Sequence, residues 1–205
     1  MDYNIHMNKN NHGFTLIELI VTLAVVSILL LTGIPMLNQM TTSNRLVTQI
    51  NSIAGSLSVA RSESIKRGES ITLCGSTDGS TCDTSNWESG WIVFTDADNN
   101  AVLNSATELM LKIVDQFSGG TTLRLSQSDS ASIMRYRSDG SLRDQNSDAT
   151  RTDKGTFTLC DSSASVTKAK AINVNPLGRV SRAEDTDDPT DNTVNDVTGV
   201  DVTCP

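Results

Sequence analysis

The N-terminal sequence contains one long apolar run that holds a single acid. Residues Phe14 to Leu31 are almost entirely apolar, and the run has about the length that a helix needs to cross the core of a bilayer. It predicts a membrane-inserted helix over residues 14–35. Glu18 lies near the start of this run, where a carboxylate costs about 2.5–3.5 kcal/mol even on lenient insertion scales. A compensating positive group is therefore expected.

The residues before the run are not those of an ordinary secretory signal. The first 13 residues, MDYNIHMNKNNHG, carry little basic charge, and no cleavage site of small residues is present. A plain membrane anchor that tolerates one glutamate is the alternative.

The same residues resemble the type III signal of type IV prepilins, in which a short polar leader ends in glycine and is followed by a sequence such as Phe14-Thr15-Leu16-Ile17-Glu18-Leu19. The resemblance implies that residues 1–13 are a leader, which a prepilin peptidase removes at the cytoplasmic face between Gly13 and Phe14. It also implies that the new amine is methylated. This positive amine would lie a little over one helical turn from Glu18, so the two charges would compensate each other when buried. In such filaments Glu18 would meet the N-terminal amine of a neighbouring subunit during assembly.

The helix is expected to be disturbed after the apolar run and then to resume. Gly33 and Pro35 predict a kink or local melting. Further along, apolar residues recur at three- and four-residue spacing, which predicts an amphipathic helix that ends at Gly68 after two basic residues. The apolar positions are Leu46, Val47, Ile50, Ile53, Ala54, Leu57, Ala60 and Ile65. The complete helix is predicted over residues 14–68.

The rest of the chain, residues 69–205, predicts a β-rich head. Aromatic residues make up only 4% of the chain, which suits a turn-rich β domain better than a helical bundle. Short runs between turn residues predict about eight strands. They are Ser70–Cys74, Gly90–Thr95, Glu108–Val114, Thr121–Ser126, Ile133–Arg137, Gly155–Cys160, Ala171–Val174 and Leu177–Ser181. The polar stretch from Leu142 to Lys154 predicts a loop.

All four cysteines, Cys74, Cys82, Cys160 and Cys204, follow the apolar run. Export would therefore place them in an oxidising compartment, where disulfides form. Of the three connectivities, we prefer Cys74 to Cys82, which closes a Gly/Ser/Thr loop, and Cys160 to Cys204, which ties the C-terminal segment to a strand. A structural zinc site is less compatible, because neither pair has the two-to-four-residue separation of zinc ribbons.

The formal net charge of −8 is concentrated near the C-terminus. Residues 183–205 contain seven acids and no lysine or arginine, which leaves 17 acids against 16 bases in the rest of the chain. The nearly neutral remainder argues against nucleic-acid binding by the whole protein. We expect the acidic segment to be flexible and solvated, with cation binding as the alternative.

The candidate chemistry is sparse. Both histidines, His6 and His12, lie in the predicted leader, so a mature chain would lack Ser/His/Asp and Cys/His triads and histidine-based zinc sites. No phosphate-binding or dinucleotide-binding glycine motif is present. We therefore expect a protein that is not an enzyme, with no catalytic residues, no cofactor and no metal site.

One segment, Asp96-Ala97-Asp98-Asn99-Asn100, opens like a calcium-binding loop. However, Ala101 stands where such a loop needs a turn glycine, and Thr107 stands where the bidentate glutamate belongs. A solvated turn after a strand is therefore expected here.

Several segments together resemble the minor pilin family that includes FimU, FimT and the type II secretion pseudopilin GspH. They include Ala60–Arg67, Ile71–Cys74, Gly90–Asp96, Phe157–Cys160 and Gly178–Val180. The resemblance implies an α+β fold in which a long N-terminal helix, half of it membrane-spanning, packs on a C-terminal β-rich domain of two antiparallel sheets. It implies a structural subunit near the filament tip that primes assembly, with major and minor pilins as partners. The subunit would lie in the inner membrane first, and in an extracellular pilus or periplasmic pseudopilus afterwards.

DNA is an alternative partner, because some FimT proteins hold DNA with a C-terminal Gly-Arg-x-Arg motif. Here the residues are Gly178-Arg179-Val180-Ser181-Arg182. The second arginine is displaced by one residue, so on a strand it would face the opposite side from the motif position. Arg179 and Arg182, with Lys168 and Lys170, are thus candidate DNA-binding residues, but the acids that follow disfavour the interaction. A type II secretion pseudopilin of the H type is the other alternative.

Overall fold

The computed structural model describes residues 14–127, 132–142, 154–187 and 190–205. The predicted leader and most of the loop predicted over Leu142–Lys154 lie outside these ranges. Within these ranges one α-helix, α1 (Leu16–Arg67), precedes eight strands. The strands are β1 (Ile71–Gly75), β2 (Gly90–Thr95), β3 (Met110–Asp115), β4 (Thr122–Gln127), β5 (Ile133–Tyr136), β6 (Gly155–Cys160), β7 (Lys170–Val174) and β8 (Val180–Arg182). The chain divides into two compact units, Met1–Thr41 and Thr42–Pro205.

Both ends of α1 are closed by local interactions. At its start, the Thr15 side chain accepts a hydrogen bond from the Glu18 N–H at 3.3 Å, which satisfies one otherwise unpaired donor. At its end, the Gly68 N–H donates to the Ser64 carbonyl at 2.9 Å. Gly68 has a φ of 69°, the left-handed conformation that commonly terminates a helix. The predicted C-terminal end is confirmed.

The local melting predicted at Gly33 and Pro35 is wrong, because α1 is helical from Leu16 to Arg67. A proline removes one N–H donor and a glycine costs about 1 kcal/mol relative to alanine. The remaining backbone hydrogen bonds of this 52-residue helix lie on both sides of the two residues and outweigh these costs.

The strands form two antiparallel sheets, so the predicted α+β class is confirmed. The first sheet has the order β3-β2-β1-β5 and the second has the order β4-β6-β7-β8. The predicted strand bounds agree closely except at the last strand, which was expected to begin at Leu177. It begins at Val180, because the Gly178 N–H donates to the Asn175 carbonyl at 2.8 Å. This turn places Gly178 at a φ of 72°, which a strand does not use.

The C-terminal half of α1 packs on both sheets in one hydrophobic core. Its buried apolar residues are Leu46, Ile50, Ile53, Leu57 and Ala60. The buried Trp91 indole N–H on β2 donates to the Ser56 hydroxyl at 3.0 Å, which ties the strand to the helix. Trp87 meets Phe157 of β6 edge to face at 4.9 Å. Val47 and Ile65, which were also predicted for this stripe, are exposed.

Two disulfides, Cys74–Cys82 and Cys160–Cys204, are present in the structure. They are the pairs preferred from the sequence. The first closes the loop after β1, and the second joins β6 to the C-terminal segment.

The expectation that the acidic C-terminal segment is flexible and solvated is wrong for its described residues. Ala183 and Val202 are buried in a small cluster with Cys160 and Ala171. The Ala183 N–H donates to the Ala171 carbonyl, and the Val202 N–H donates to the Val194 carbonyl, both at 3.0 Å. Small apolar residues between the acids therefore anchor the segment, although its net charge suggested solvation.

The two disulfides should contribute unequally to stability, because they close loops of different length. The cysteines are 44 residues apart in Cys160–Cys204 and 8 apart in Cys74–Cys82. Loop-closure entropy predicts that Cys160→Ser with Cys204→Ser lowers the free energy of unfolding by about 4 kcal/mol, and Cys74→Ser with Cys82→Ser by about 2.5 kcal/mol. Urea denaturation of both double variants checks the order, and equal losses would contradict it.

Candidate functional site

The N-terminal part of α1 is apolar and exposed. Every large apolar side chain in residues 14–31 is exposed within this chain, from Phe14 at 85% to Val26 at 48%. By length and apolar composition, α1 contains a segment that fits a membrane span. An exposed apolar surface of this extent indicates contact with lipid or with other protein.

Glu18 and Phe14 lie close together at the start of this segment. Phe14 comes two residues before α1, and Glu18 lies in its first turn. Glu18 is exposed within the chain, so a partner for its carboxylate in an apolar environment must come from outside the folded head. Gly13, the other predicted cleavage residue, lies outside the described residues.

The candidate DNA-binding residues do not form one patch. Arg179 and Arg182 are both exposed, but Arg179 precedes β8 and Arg182 ends it. Arg182 pairs with Ile172 of β7, which places it on the same side of the sheet as Lys170, two residues before Ile172. Lys168 lies in a short 3₁₀ helix, Val166–Lys168. The structure therefore groups Arg182 with Lys170 and separates it from Arg179.

A groove of about 480 Å³ runs between α1 and the edge formed by β7 and β8. Its walls include Val47 and Ala54 of the helix, Val180 of β8, and the two basic side chains Lys170 and Arg182. The exposed Val47, which the sequence placed in the core stripe, borders this groove. The groove thus combines apolar walls with positive charge.

A buried ion pair lies at the end of β2. Asp96 is completely buried, and its Oδ2 accepts hydrogen bonds from the Thr72 hydroxyl at 2.6 Å and the Arg135 Nε at 3.0 Å. The Ala101 N–H donates to the same oxygen at 3.2 Å. Thr72 and Arg135 are opposite each other in the β1–β5 pair. The register of the β1–β5 pair therefore places two of the three hydrogen-bond donors beside this carboxylate.

Two more carboxylates lie beside Asp96. Carboxylate oxygens of Asp96, Asp98 and Glu108 lie within 4.8 Å of one another, and no other such group of three metal-capable side chains occurs in the part of the chain that the structure describes. Glu108 is buried and accepts hydrogen bonds from the N–H groups of Ala97 at 3.1 Å and Asn104 at 2.8 Å. Asp98 is exposed.

Sequence reasoning missed Glu108 and Arg135. Glu108 directly follows Thr107, where a calcium loop carries its glutamate, so an allowance of one inserted residue would have found it. Arg135 lies between the buried Met134 and Tyr136 in a short strand. A charged residue at a buried strand position was the available signal, because such a charge needs a partner.

Acids of the C-terminal segment meet at Asn195. Its side-chain amide donates to Asp187 at 2.8 Å and to Asp201 at 3.2 Å. Burial and the nearby carboxylates of Asp187, Asp191 and Asp185 raise the pKa of the Asp201 carboxyl. One side-chain amide therefore holds two like-charged carboxylates together. In the part of the chain that the structure describes, no three of these acids have carboxylate oxygens close enough together to bind one metal ion.

Two family models match the chain. The model of "Type II transport protein GspH" matches residues 49–178, and the model of "Prokaryotic N-terminal methylation motif" matches residues 8–34. Among curated proteins, no sequence matches this chain significantly.

The solved structures that this chain resembles include minor pilins and a pseudopilin. The Pseudomonas aeruginosa type IV minor pilin FimU is 18% identical, with a TM-score of 0.50 over 70% of this chain and 91% of that chain. A second crystal form of FimU is 17% identical, with a TM-score of 0.46 over 66% and 90%. The minor pseudopilin EpsH of the Vibrio cholerae type 2 secretion system is 11% identical, with a TM-score of 0.45 over 67% and 95%. The first of these likenesses is evidence of a shared fold.

The buried ion pair predicts a large effect of a single substitution. Arg135→Met would leave the Asp96 carboxylate buried without its guanidinium partner, so we expect the free energy of unfolding to fall by about 3–5 kcal/mol. Arg137→Met, at an exposed position two residues further on, should change it by less than about 0.5 kcal/mol. Chemical denaturation measures both variants. If the two variants lose similar amounts of free energy of unfolding, the Asp96–Arg135 ion pair has no special role in stability.

Proposed function

This chain belongs to the GspH family, and we propose that it is a minor pilin, a structural subunit that primes the assembly of a type IV pilus or lies near its tip. The observation that carries the proposal is the exposed apolar segment of residues 14–31, which has one carboxylate near its start and lies within the match to the methylation motif. The FimU-like fold of the rest of the chain supports it.

Lateral packing of the apolar segment is the proposed driving force for assembly. In the membrane the segment is solvated by lipid, and in a filament the same side chains would pack against the equivalent segments of neighbouring pilins. Buried apolar surface is worth about 25 cal/mol per Å² against water. Leaving the membrane without such partners would therefore be costly, which couples extraction from the membrane to assembly.

Glu18 is proposed to set the register of this packing. Cleavage between Gly13 and Phe14 gives each subunit a positive N-terminal amine, while Glu18 carries a negative charge a little over one turn away. Each buried charge alone costs several kcal/mol, and a close opposite charge offsets much of that cost. The Glu18 carboxylate of an incoming subunit would therefore favour the position in which it meets a neighbour's amine.

These roles imply where each part of the chain would lie before and after assembly. Residues 1–13 are the leader, and residues 14–35 span the inner membrane once before assembly and lie in the filament core afterwards. The head, with its two disulfides, would then function outside the cytoplasm, where such bonds persist. Its contacts would be with other major and minor pilins, and a prepilin peptidase would be its processing enzyme.

The description of the matching family as a type II transport protein favours a second candidate, a type II secretion pseudopilin of the H type. A deletion strain separates the two, since loss of surface pili and twitching supports the pilus, and loss of protein secretion with normal pili supports the pseudopilus.

DNA binding is not proposed. Arg179 precedes β8 whereas Arg182 ends it, and the acidic Glu184 lies two residues after Arg182.

Mass spectrometry of the mature protein should find Phe14 at the N-terminus, carrying one added methyl group. Gly13→Val should block the cut, because the leader of the resembled signal ends in glycine, and the chain should keep residues 1–13. A mature wild-type protein that retains the leader, or that has lost the apolar segment, would refute the proposed processing.

Glu18→Val should reduce the amount of this subunit in sheared filaments at least about tenfold, because an uncompensated buried amine costs more than the roughly 1.4 kcal/mol that a tenfold change requires. Cleavage of the leader should continue. Thr22→Val, at a polar position one turn further along α1, is the matched control and should assemble normally. Immunoblots of sheared and membrane fractions measure both, and wild-type incorporation of Glu18→Val would remove Glu18 from the assembly step.

A further inference from the structure

The loop between β2 and β3 gathers three carboxylates around a small space. We propose that Asp96, Asp98 and Glu108 bind one calcium ion there. This inference is independent of the proposed function, because it rests only on the residues of this loop and of the strands beside it.

The spacing of the three carboxylates fits a calcium ion. Three oxygen atoms that all lie within 4.8 Å of one another have a common point no more than about 2.8 Å from each of them. Calcium–oxygen distances are about 2.3–2.6 Å. Small side-chain movements would therefore complete the contacts, without any change in the path of the loop.

Unsatisfied oxygen atoms in the same loop are the second observation. The Oδ2 atom of Asp96 accepts three hydrogen bonds, whereas its Oδ1 atom is buried and accepts none from any residue that the structure describes. The side-chain oxygen of Asn99 is also buried and has no donor among those residues. A buried acceptor without a donor costs about 1–3 kcal/mol, and more when it is charged. A cation beside the Asp96 carboxylate would remove this cost.

The charge of the cluster also matches a divalent ion. Asp96, Asp98 and Glu108 carry three formal negative charges, and Arg135 contributes one positive charge through its bond to Asp96 Oδ2. Two negative charges therefore remain on these four side chains, and one divalent ion would neutralise them. The guanidinium of Arg135 already occupies one Asp96 oxygen, so the other oxygen is the one that is free to meet an ion.

The two sequence objections to a calcium loop do not hold in the folded chain. Ala101 adopts the left-handed conformation itself, with a φ of 61°, and its N–H bonds to Asp96 Oδ2. This conformation costs a non-glycine residue about 1–2 kcal/mol. Thr107 is not the acid, but Glu108, one residue later, reaches the two aspartates. The loop thus carries its glutamate one residue later than an ordinary calcium-binding loop does.

The donor set favours calcium over other metals. All three side chains offer oxygen, whereas zinc sites use cysteine and histidine. Magnesium requires a more regular octahedron and keeps most of its waters. Extracellular calcium modules bind with dissociation constants of about 10⁻⁴–10⁻³ M. We expect this range here, because Arg135 repels the ion and Asp98 is exposed.

Calcium binding can be measured on the full-length mature chain in detergent micelles, after removal of metal with a chelator. Equilibrium dialysis with radioactive calcium should give one ion per chain, with saturation in the millimolar range. At a tenfold excess of calcium over its dissociation constant, the melting temperature should rise by about 3–5 °C. Sodium chloride of equal ionic strength should not reproduce this rise.

Two variants and one control identify the site. Asp98→Asn removes the charge of an exposed ligand without touching the Asp96–Arg135 pair, and Glu108→Gln removes a second ligand charge. Each should weaken calcium binding at least about tenfold. Asp139→Asn is the matched control, because Asp139 accepts the N–H two residues ahead at 2.9 Å, as Asp98 does at 3.2 Å, but lies outside the cluster. Its calcium affinity should be that of the wild type.

Three results would overturn the proposal. The first is an absence of saturable binding by the wild type up to about 10 mM calcium, which is above the range of extracellular calcium modules. The second is wild-type affinity in Asp98→Asn and Glu108→Gln, which would mean that any bound calcium sits elsewhere, such as on the acids around Asn195. The third is equal stabilisation by sodium chloride, which would mean only that salt screens the carboxylates.

Discussion

The head of this protein depends on the packing of the C-terminal half of α1 against two sheets at once. The sheets have separate hydrogen-bond ladders, so their shared core is built by side chains. Leu57 and Ile53 of the helix are buried with Leu73 of β1 and Phe157 of β6. Around this core, Glu88 accepts the N–H of Leu123 at 3.1 Å and pairs with Arg124, which links the turn before β2 to β4.

The same helix carries two kinds of surface along its length. Between residues 46 and 60 its apolar side chains are buried within the chain, whereas those in residues 14–31 are exposed. The head therefore has a buried core of its own, and the apolar surface of the N-terminal segment indicates contact with lipid or with other protein. This combination suits the proposed move from a membrane into a filament, in which the head would keep its structure while the environment of the apolar segment changes.

Polar segments outside the core are held by specific partners. The Asp96 loop is held by the ion pair with Arg135 and by two hydrogen bonds that the Glu108 carboxylate accepts from backbone N–H groups. The C-terminal segment is held by the disulfide to Cys160 and by the buried Val202. The sequence predicted that both segments are solvated. Each is nevertheless ordered in its described residues, because a few buried groups within it find partners far away in the chain.

The sequence by itself determined the helix, the positions of most strands and the position of the apolar segment. These features follow from local periodicity and from turn residues, which act over a few neighbours along the chain. Only the tertiary structure decided that Glu108 and Arg135 join Asp96, that Arg182 lies with Lys170 and not with Arg179, and that the acidic segment packs on the second sheet. Arg135 is 39 residues from Asp96 in the chain, and strand register and loop closure bring the two together. Register depends on the energy of the whole core, so no local pattern encodes which distant side chains become neighbours.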